Sequence, residues 1–307
     1  MNKPLVSVFT CVYNRADKIH RVFKSMKAQT YPNIEHVIVD DGSTDNVLPL
    51  LEQYKKEVSF PVLVFHKENG GKHSATNVAW DNCHGKYIVQ LDSDDELLPD
   101  AISTLVSLWD EIPAKDYDKY WCVHGRCRTQ FSEDMVGQPY PDGINKLSHE
   151  EALKVSESIV CEKIGLMKAS VLKDQRYLEP EGVKFLPEGV VWNGLNQKYR
   201  TWYSNHIVRI HYVDEGGNLS NPKMSRQTLN NRVWMCRWRL ENRSRFKINF
   251  FKYAVPYCFG FFLTTDKYRK ANPYMIHADL LLYLFQLIMF VPAWLAHFVL
   301  KPLIKPF

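Results

Sequence analysis

The sequence lacks the cysteine pairs that stabilise secreted domains or form zinc sites. Its seven cysteines are odd in number, scattered along the chain and never spaced as CxxC. This pattern favours reduced thiols in a cytosolic compartment over disulfides or a zinc site. The first segment, MNKPLVSVFTCVYN, also lacks the apolar core of a signal peptide, so export is not expected.

Acidic residues are scarce towards the end of the chain. Residues 223–307 contain fourteen Lys or Arg and only three acids, a net charge of +11, whereas the whole chain carries +5. Residues 1–222 are therefore net acidic. Segments of opposite charge usually have different roles, and we predict one domain over residues 1–222 and a second region over residues 223–307. With 45% apolar and 24% charged residues, the composition is that of a folded protein.

Two kinds of pattern alternate over the first hundred residues. Four apolar runs read LVSVFTCV, HVIVD, VLVFH and YIVQL, and helical patterns separate them at about residues 16–28, 45–56 and 73–83. Strands that alternate with helices predict βαβ units and a mainly parallel sheet covered by helices on both faces. A chain of 307 residues is long enough to bury such an α/β core.

Polar residues follow each of the four predicted strands. They are Asn14 with Arg15, residues 40–43 (DDGS), residues 68–72 (ENGGK) and residues 92–95 (DSDD). Open α/β sheets bind ligands outside the carboxyl ends of their strands, so these segments predict one common binding site. Taken alone, DDGS also fits a turn and helix N-cap that lead into Thr44 and Asp45.

The segment QLDSDDE, residues 90–96, places four acids within five positions. One alternative is a solvated loop that caps a helix starting near Pro99, but a cap needs only one acid, and neighbouring carboxylates repel one another unless a cation offsets them. Two carboxylates one residue apart can instead hold a hard divalent ion, with water and phosphate oxygens at its other positions. An EF-hand fits poorly, because Glu96 and Leu97 stand where that loop needs a further ligand and a glycine. The segment therefore predicts a metal and phosphate site.

Four motifs together resemble a known family. They read VSVFTCVYNR at the first strand, VIVDDGSTD at the second, NGGKHSATNVAW across the third loop and helix, and LDSDDELLPDA at the fourth strand. In this order and at these spacings the chain resembles the inverting family 2 glycosyltransferases with a GT-A fold, of the bacterial surface-polysaccharide type. The resemblance covers about residues 4–220 and implies an α/β GT-A fold.

The resemblance implies a nucleotide-sugar donor. It assigns to the base and ribose five residues: Thr10, Asn14, Arg15, Asp40 and Asp41. Because a carboxylate suits the imide N–H of uracil, we expect a UDP-sugar. Lys72 would meet the diphosphate as a point charge, and Ser93 would be a further nucleotide contact. The alternative for Lys72 is a solvent-facing lysine at the start of a helix.

The resemblance also implies a metal site. Asp92 and Asp94 would be the acid pair that binds Mn²⁺ or Mg²⁺, which offsets charge on the leaving UDP. Asp95 would orient sugar hydroxyls or the other carboxylates. His211, in the segment RIHYVDEGGNLS, would approach the metal or the diphosphate from the closing strand, beside a flexible loop. A lone strand histidine is more often structural, and that alternative stays open.

An inverting displacement needs a general base within hydrogen-bond reach of the acceptor hydroxyl. In the family this acid begins a helix, commonly within a Glu-Asp pair. The matching segment here, FLPEGVVWNGL, has Glu188 followed by Gly189 in place of the second acid. The resemblance therefore implies that Glu188 is the base. The alternative is an acid that only stabilises a helix N-terminus, by a few tenths to about 1 kcal/mol.

The C-terminal region combines basic, aromatic and apolar sequence. Residues 223–252 interleave nine Lys or Arg with aromatic residues, and residues 280–300 hold no charge in 21 positions. Basic and aromatic residues can bind nucleic acid, but the apolar runs at 253–263 and 280–300 favour an anionic membrane surface. The longer run can span a bilayer, yet basic residues at both of its ends oppose spanning. We expect a re-entrant or in-plane helix pair, with a buried core helix as the alternative.

The expected function is metal-dependent, inverting transfer of one sugar from a UDP-sugar to a lipid-linked or glycan acceptor. We expect it at the cytoplasmic face of the inner membrane, without a nucleic-acid partner. The chain lacks the multispan region of processive polysaccharide synthases, which favours transfer of a single sugar. Two alternatives are a non-catalytic sugar-nucleotide or glycan-binding module and a basic nucleic-acid-binding protein.

Overall fold

The computed structural model describes residues 3–213, 225–242, 250–272, 274 and 280–300. The chain divides into two compact units, one of Met1–Tyr177 with Pro187–Val213 and one of Leu178–Leu186 with Asp214–Phe307. The predicted boundary between residues 222 and 223 lies outside the described residues and stays a prediction. All seven cysteines carry free thiols.

The first unit is an α/β structure built on one mixed sheet. Its strands are β1 (Val6–Val12), β2 (Ile34–Asp40), β3 (Val62–His66), β4 (Tyr87–Gln90), β5 (Glu96–Leu97), β6 (Tyr120–Thr129), β7 (Lys163–Lys168) and β8 (Arg200–His211). The strand order is β3-β2-β1-β4-β7-β6-β8-β5. Strands β1 to β4 run parallel, whereas β7 is antiparallel to both of its neighbours. Strands β6 and β8 also pair in parallel. Strands β1 to β4 are the half of the sheet that the sequence predicted.

Helices cover both faces of this sheet. They are α1 (His20–Lys27), α2 (Val47–Glu57), α3 (Lys72–Asn82), α4 (Ala101–Asp110), α5 (His149–Ser158), α6 (Ala169–Leu172) and α7 (Gly189–Lys198), with 3₁₀ turns at Ala114–Lys119 and Ile144–Lys146. The three helices predicted between the first four strands are thus confirmed as α1, α2 and α3. So is the α/β fold class.

Side chains of the parallel strands alternate between two hydrophobic layers. In β2, Ile38 packs in one layer while Val37 and Val39 pack in the other. In β1, Val8 and Phe9 divide in the same way. Strands that are apolar on both faces are typical of a parallel sheet between helices.

The acidic segment lies between β4 and β5. Helix α4 has Asp100 as its N-cap residue, without a side-chain cap bond. The alternative that residues 92–95 cap this helix is therefore wrong. The N-cap residue of α2 is Asn46, so no residue of DDGS caps that helix.

Apart from the segment Leu178–Leu186, which forms no helix or strand, the described part of the second unit is mainly helical. Its helices are α8 (Arg226–Glu241), α9 (Phe250–Phe261), α10 (Asp266–Ala271) and α11 (Leu280–Leu300). The buried Asn230 side chain donates to the Gly182 carbonyl and to Thr265 Oγ1, at 2.9 Å each, which ties the segment Leu178–Leu186 to these helices. Over the part of the chain that is described, we find no helix with the length and apolarity needed to cross a membrane.

Candidate active site

Hydrogen bonds of the Asn14 and Asp40 side chains link the ends of β1, β2 and β3. Asp40 Oδ1 accepts from the Ser43 amide at 3.1 Å, and its Oδ2 lies 2.6 Å from His66 Nδ1. Asn14 takes a left-handed φ of 50°, and its Oδ1 accepts from the Thr44 amide at 2.8 Å. Asparagine tolerates this backbone conformation better than most residues. DDGS is thus a turn, and Asn14 and Asp40 shape it.

Asp41 organises the loop that leads into α3. Its carboxylate is almost fully buried and accepts from the amides of Gly70 at 2.9 Å and Gly71 at 2.7 Å. The side chains of Lys67 and Asn69 also donate to it, at 2.9 and 3.0 Å. Gly71 has a φ of 98°, which favours glycine. The structure therefore gives Asp41 a positioning role beneath the loop, where the sequence predicted a nucleotide contact.

Thr10 does not join the strand-end residues. Its side chain is fully buried in the middle of β1, and Thr10 Oγ1 lies 3.1 Å from His36 Nε2. The other ring nitrogen of His36 lies 3.1 Å from the Tyr54 hydroxyl. The Thr10 hydroxyl thus belongs to a buried polar chain, and the nucleotide contact predicted for Thr10 stays a prediction.

Lys72 links the predicted metal site to the predicted base. Lys72 Nζ lies 2.8 Å from Asp92 Oδ1 and 3.1 Å from Glu188 Oε1. Burial alone would lower the pKa of Lys72, but attraction to the two carboxylates outweighs it and raises that pKa. Burial likewise opposes ionisation of Asp92, yet Lys72 and Arg209 hold the pKa of Asp92 well below its ordinary value. The alternative of a merely solvent-facing Lys72 is wrong.

Arg209 is a site residue that the sequence reasoning missed. Its guanidinium is almost fully buried and lies 3.7 Å from Asp92 Oδ2 and 3.4 Å from Asp95 Oδ2. A third carboxylate, that of Glu162, lies 3.4 Å away. The sequence contained one indication of this role. Arg209 lies two residues before His211 on the same predicted strand, so that the side chains of both point to the same face of the sheet.

Asp94 and Ser93 complete the turn after β4. Asp94 Oδ2 lies 3.8 Å from Arg15 Nε, so the structure brings these two predicted site residues together. Burial, with repulsion from Asp95 and Asp92, raises the pKa of Asp94 above its ordinary value. Ser93 is half-buried between the two acids. Asp94 is therefore a carboxylate with excess negative charge around it.

His211 meets Asp95 at the end of β8. His211 Nδ1 lies 3.2 Å from Asp95 Oδ2, and the Tyr212 amide donates to Asp95 Oδ1 at 2.9 Å. This hydrogen bond with Asp95 raises the pKa of His211. Asp95 therefore orients His211, as carboxylates commonly orient histidines beside metals. The predicted loop beyond Val213 lies outside the described residues.

The donor chemistry fits one hard divalent cation held largely by substrate and water. Among the described residues, no three His, Cys, Asp or Glu side chains form a group that could hold a metal. Asp92 and Asp94 nevertheless supply two carboxylates. Burial, and then repulsion from Asp95 and Asp92, raises the pKa of Asp94, and a cation would offset that repulsion. Magnesium-type sites commonly use one or two carboxylates, with phosphate oxygens and water. Asp92 and Asp94 are the residues that would hold the ion.

Glu188 occupies the N-cap position of α7, but its side chain makes no hydrogen bond to the helix backbone. The carboxylate contacts Lys72 instead. Its side chain remains 43% exposed. Behind it, burial and the nearby Glu188 charge raise the pKa of Tyr177, whose ring packs with Trp80 and Trp192. Glu188 is thus a partly exposed carboxylate close enough to Tyr177 for its charge to affect that hydroxyl.

A family model described as glycosyl transferase family 2 matches residues 7–171, more than half of the chain. The chain belongs to glycosyl transferase family 2. This family 2 chain is 36% identical over 181 residues to an uncharacterised glycosyltransferase of Rickettsia prowazekii, covering 55% of each chain. It is 41% identical over 100 residues to TuaG of Bacillus subtilis, a glycosyltransferase named for teichuronic acid biosynthesis, covering 33% of this chain and 40% of TuaG.

Solved structures agree on the fold of the family 2 chain. S. aureus TarS 1–349, in complex with UDP-GlcNAc, aligns with a TM-score of 0.56 at 18% identity, covering 94% of this chain and 79% of TarS. At that identity the likeness concerns the fold alone. The chain spans about half the length, or less, of the two curated relatives. The predicted family and its GT-A fold are confirmed.

Proposed function

We propose that this family 2 protein transfers one sugar, with inversion and with a divalent cation, from a UDP-sugar to a lipid-linked or glycan acceptor. The observation that carries the proposal is the cluster in which Lys72 contacts both Asp92 and Glu188. It joins the residues expected to meet diphosphate, metal and acceptor, at the sheet edge where open α/β sheets bind ligands. The biosynthetic role in the name of TuaG and the UDP-GlcNAc bound to TarS support the same reading.

The donor diphosphate would lie against Lys72. An ammonium that already contacts two carboxylates is well placed to exchange one of them for phosphate oxygens, as a charge-assisted hydrogen-bond donor. Asn14 and Arg15, beside the DDGS turn, would face the nucleoside. Asp92 and Asp94 would hold the cation, which when bound offsets the charge on the departing UDP.

Glu188 would accept the proton of the attacking hydroxyl. The acceptor oxygen then forms a bond to the anomeric carbon while the bond from that carbon to the diphosphate oxygen breaks and UDP takes the electron pair. Attack from the face opposite UDP inverts the anomeric configuration. The ion pair with Lys72 would hold the carboxylate of Glu188 near the bound donor, where it could reach the acceptor hydroxyl as a general base must.

The acceptor would lie at the cytoplasmic face of the inner membrane. Residues 223–307 carry a net charge of +11, and basic segments are attracted to anionic lipid surfaces. A membrane-bound acceptor gives a reason for joining such a region to a glycosyltransferase fold. Residues of the first unit would then perform the chemistry, while the second unit would bring the enzyme to its acceptor.

A donor and acceptor screen tests this function. The full chain is incubated with a panel of UDP- and GDP-sugars, Mn²⁺ or Mg²⁺, and lipid acceptors extracted from bacterial membranes. We expect UDP release that requires both cation and acceptor, and a product heavier than the acceptor by one sugar residue. Turnover of GDP-sugars alone would overturn the choice of donor.

Two other outcomes would replace the proposal. Tight binding of UDP-sugars without release of UDP over the whole acceptor panel would favour a non-catalytic binding module. Binding of RNA that weakens steeply with salt, without sugar-nucleotide binding, would favour a nucleic-acid-binding protein. Both measurements use the same protein preparation as the donor and acceptor screen, so that the three results can be compared directly.

A further inference from the structure

Helix α11 exposes only apolar side chains on one side. The exposed positions among its described side chains are Leu284, Leu287, Ile288, Phe290, Val291, Pro292, Trp294 and Leu295. Among them, Ile288 is 74% exposed. A helix face that meets water normally carries charged or polar residues, so this surface is built for an apolar neighbour.

The opposite side of α11 is bound to its own unit. Gln286 is fully buried, and its amide donates to the Tyr274 backbone carbonyl at 2.7 Å. Ala293 is also fully buried, two turns further along the same side. Because one side is fixed by packing and hydrogen bonding, the apolar neighbour can approach from the other side only.

Helix α9 extends the same surface. Phe251 is 66% exposed, and Val255, one turn later, is also exposed. The rings of Phe251 and Phe285 lie 6.0 Å apart, which joins the exposed side of α9 to α11. We call the exposed side chains of α9 and α11 together the apolar face.

The apolar face stands out from the rest of the described surface. Of fourteen exposed large hydrophobic side chains among the described residues, nine belong to α9 and α11. The others, such as Phe131 and Val160, are scattered singly over the chain. Single exposed apolar residues need no explanation, but a contiguous patch marks a site of interaction with protein or membrane.

Charge favours a lipid surface over a second copy of this chain. Lys252 is exposed between Phe251 and Val255 on α9, and residues 223–307 carry a net charge of +11. Two copies joined through this face would bring like charges together, which is unfavourable. An anionic bilayer offers both an apolar interior and phosphate groups at its boundary.

We propose that the apolar face inserts into the surface of an anionic membrane, with α9 and α11 lying in the plane of the bilayer. The exposed stripe from Leu284 to Leu295 is about 17 Å long at 1.5 Å per residue. Since it runs along one side of α11 rather than around it, the helix lies flat. This inference rests on the proposed function, which gives a reason for membrane contact, and it extends that function by naming the residues that contact the membrane.

Vesicle binding tests the inference without any sugar transfer. The full chain is sedimented with vesicles of phosphatidylcholine alone or with one third phosphatidylglycerol. The test variant is Ile288→Asp/Val291→Asp, which places two charges on exposed positions of the apolar face. The matched control is Phe131→Asp/Val160→Asp, two exposed apolar positions in the first unit.

We expect the wild type and the control to bind the anionic vesicles, and the test variant to bind at least tenfold more weakly. Lys252→Glu should weaken binding to anionic vesicles more than binding to neutral ones. Equal binding by the test variant and wild type would overturn the proposal. So would a wild-type dimer that fails to bind vesicles and that the test variant converts to a monomer.

Sugar-nucleotide turnover separates this inference from the proposed function. In detergent solution with a solubilised acceptor, the Ile288→Asp/Val291→Asp variant should turn over donor at the wild-type rate. Lost vesicle binding with retained turnover supports both proposals. If the protein binds vesicles but never releases UDP, the result supports membrane insertion of the apolar face and overturns the proposed sugar transfer.

Discussion

The ammonium of Lys72 lies 3.1 Å from the carboxylate of Glu188, a residue 116 positions later in the chain. The same ammonium lies 2.8 Å from Asp92. Three residues from separate elements, namely the start of α3, the end of β4 and the residue before α7, therefore share one charge cluster. Its members are held together by charge, since each of the three side chains is ionisable and partly exposed.

Glu188→Gln should abolish sugar transfer while leaving donor binding intact. An amide keeps the size of the carboxylate but cannot accept the acceptor proton, and loss of a general base commonly costs about 100- to 10,000-fold in rate. Steady-state UDP release and calorimetric titration with UDP measure the two properties. The exposed Glu52→Gln on α2 is the matched control. Full activity in Glu188→Gln would remove Glu188 from the role of base.

Lys72→Met should weaken donor binding. Hydrogen bonds to charged groups contribute about 1.5–3 kcal/mol, which corresponds to roughly a 10- to 100-fold loss in affinity for UDP. Lys72→Arg keeps the charge and should retain part of that affinity. Titration with UDP and with uridine separates the contribution of the diphosphate to affinity from that of the nucleoside. Uridine lacks the diphosphate and should therefore bind both variants like the wild type. Lys55→Met, exposed on α2, is the control, and unchanged UDP affinity in Lys72→Met would contradict the assignment.

Removal of divalent cations should stop turnover reversibly. We expect EDTA to abolish UDP release and Mn²⁺ to restore it in the wild type, because the cation offsets charge on the leaving group. In Asp94→Ala, added Mn²⁺ should fail to restore activity at the concentration sufficient for the wild type. The exposed Asp142→Ala should respond like the wild type. Activity of the wild type that survives exhaustive chelation would rule out the cation.

Sequence patterning predicted the parallel strands and the site residues that stand at their ends. The strand-end position of Asp92 follows from hydrophobic runs and turn residues, which are local signals. The family resemblance added Glu188, which no periodicity would connect to Lys72. Sequence therefore predicted that Lys72, Asp92 and Glu188 belong to one site, but not that Lys72 pairs with both carboxylates.

Pairings that depend on strand register were not predictable. Arg209 reaches Asp92 and Asp95 because β5 pairs antiparallel to β8, with Leu97 opposite Arg209. That register joins segments more than a hundred residues apart, and no local pattern specifies it. Asp41 is a similar case. Its acidic turn resembled a ligand site, yet the backbone of the following loop satisfies the carboxylate.

Acid should destabilise the first unit through His36. Burial lowers the pKa of His36 from 6.5 to about 3, and its ring nitrogens pair with Thr10 and Tyr54. Below pH 6.5 the unfolded chain therefore binds a proton at His36 that the folded chain does not, so stability falls as the pH decreases towards 3. One such proton gives a slope of about 1.4 kcal/mol per pH unit.

Denaturant unfolding of wild type and His36→Gln between pH 7.5 and 4.5 measures this effect. Other groups titrate in both proteins, so the informative quantity is the difference in unfolding free energy between them. We expect the stability advantage of the wild type over His36→Gln to shrink as the pH falls below 6.5. The exposed His206→Gln should track the wild type throughout. A difference between wild type and His36→Gln that stays constant across this range would mean that the imidazole of His36 gains its proton equally in the folded and unfolded states.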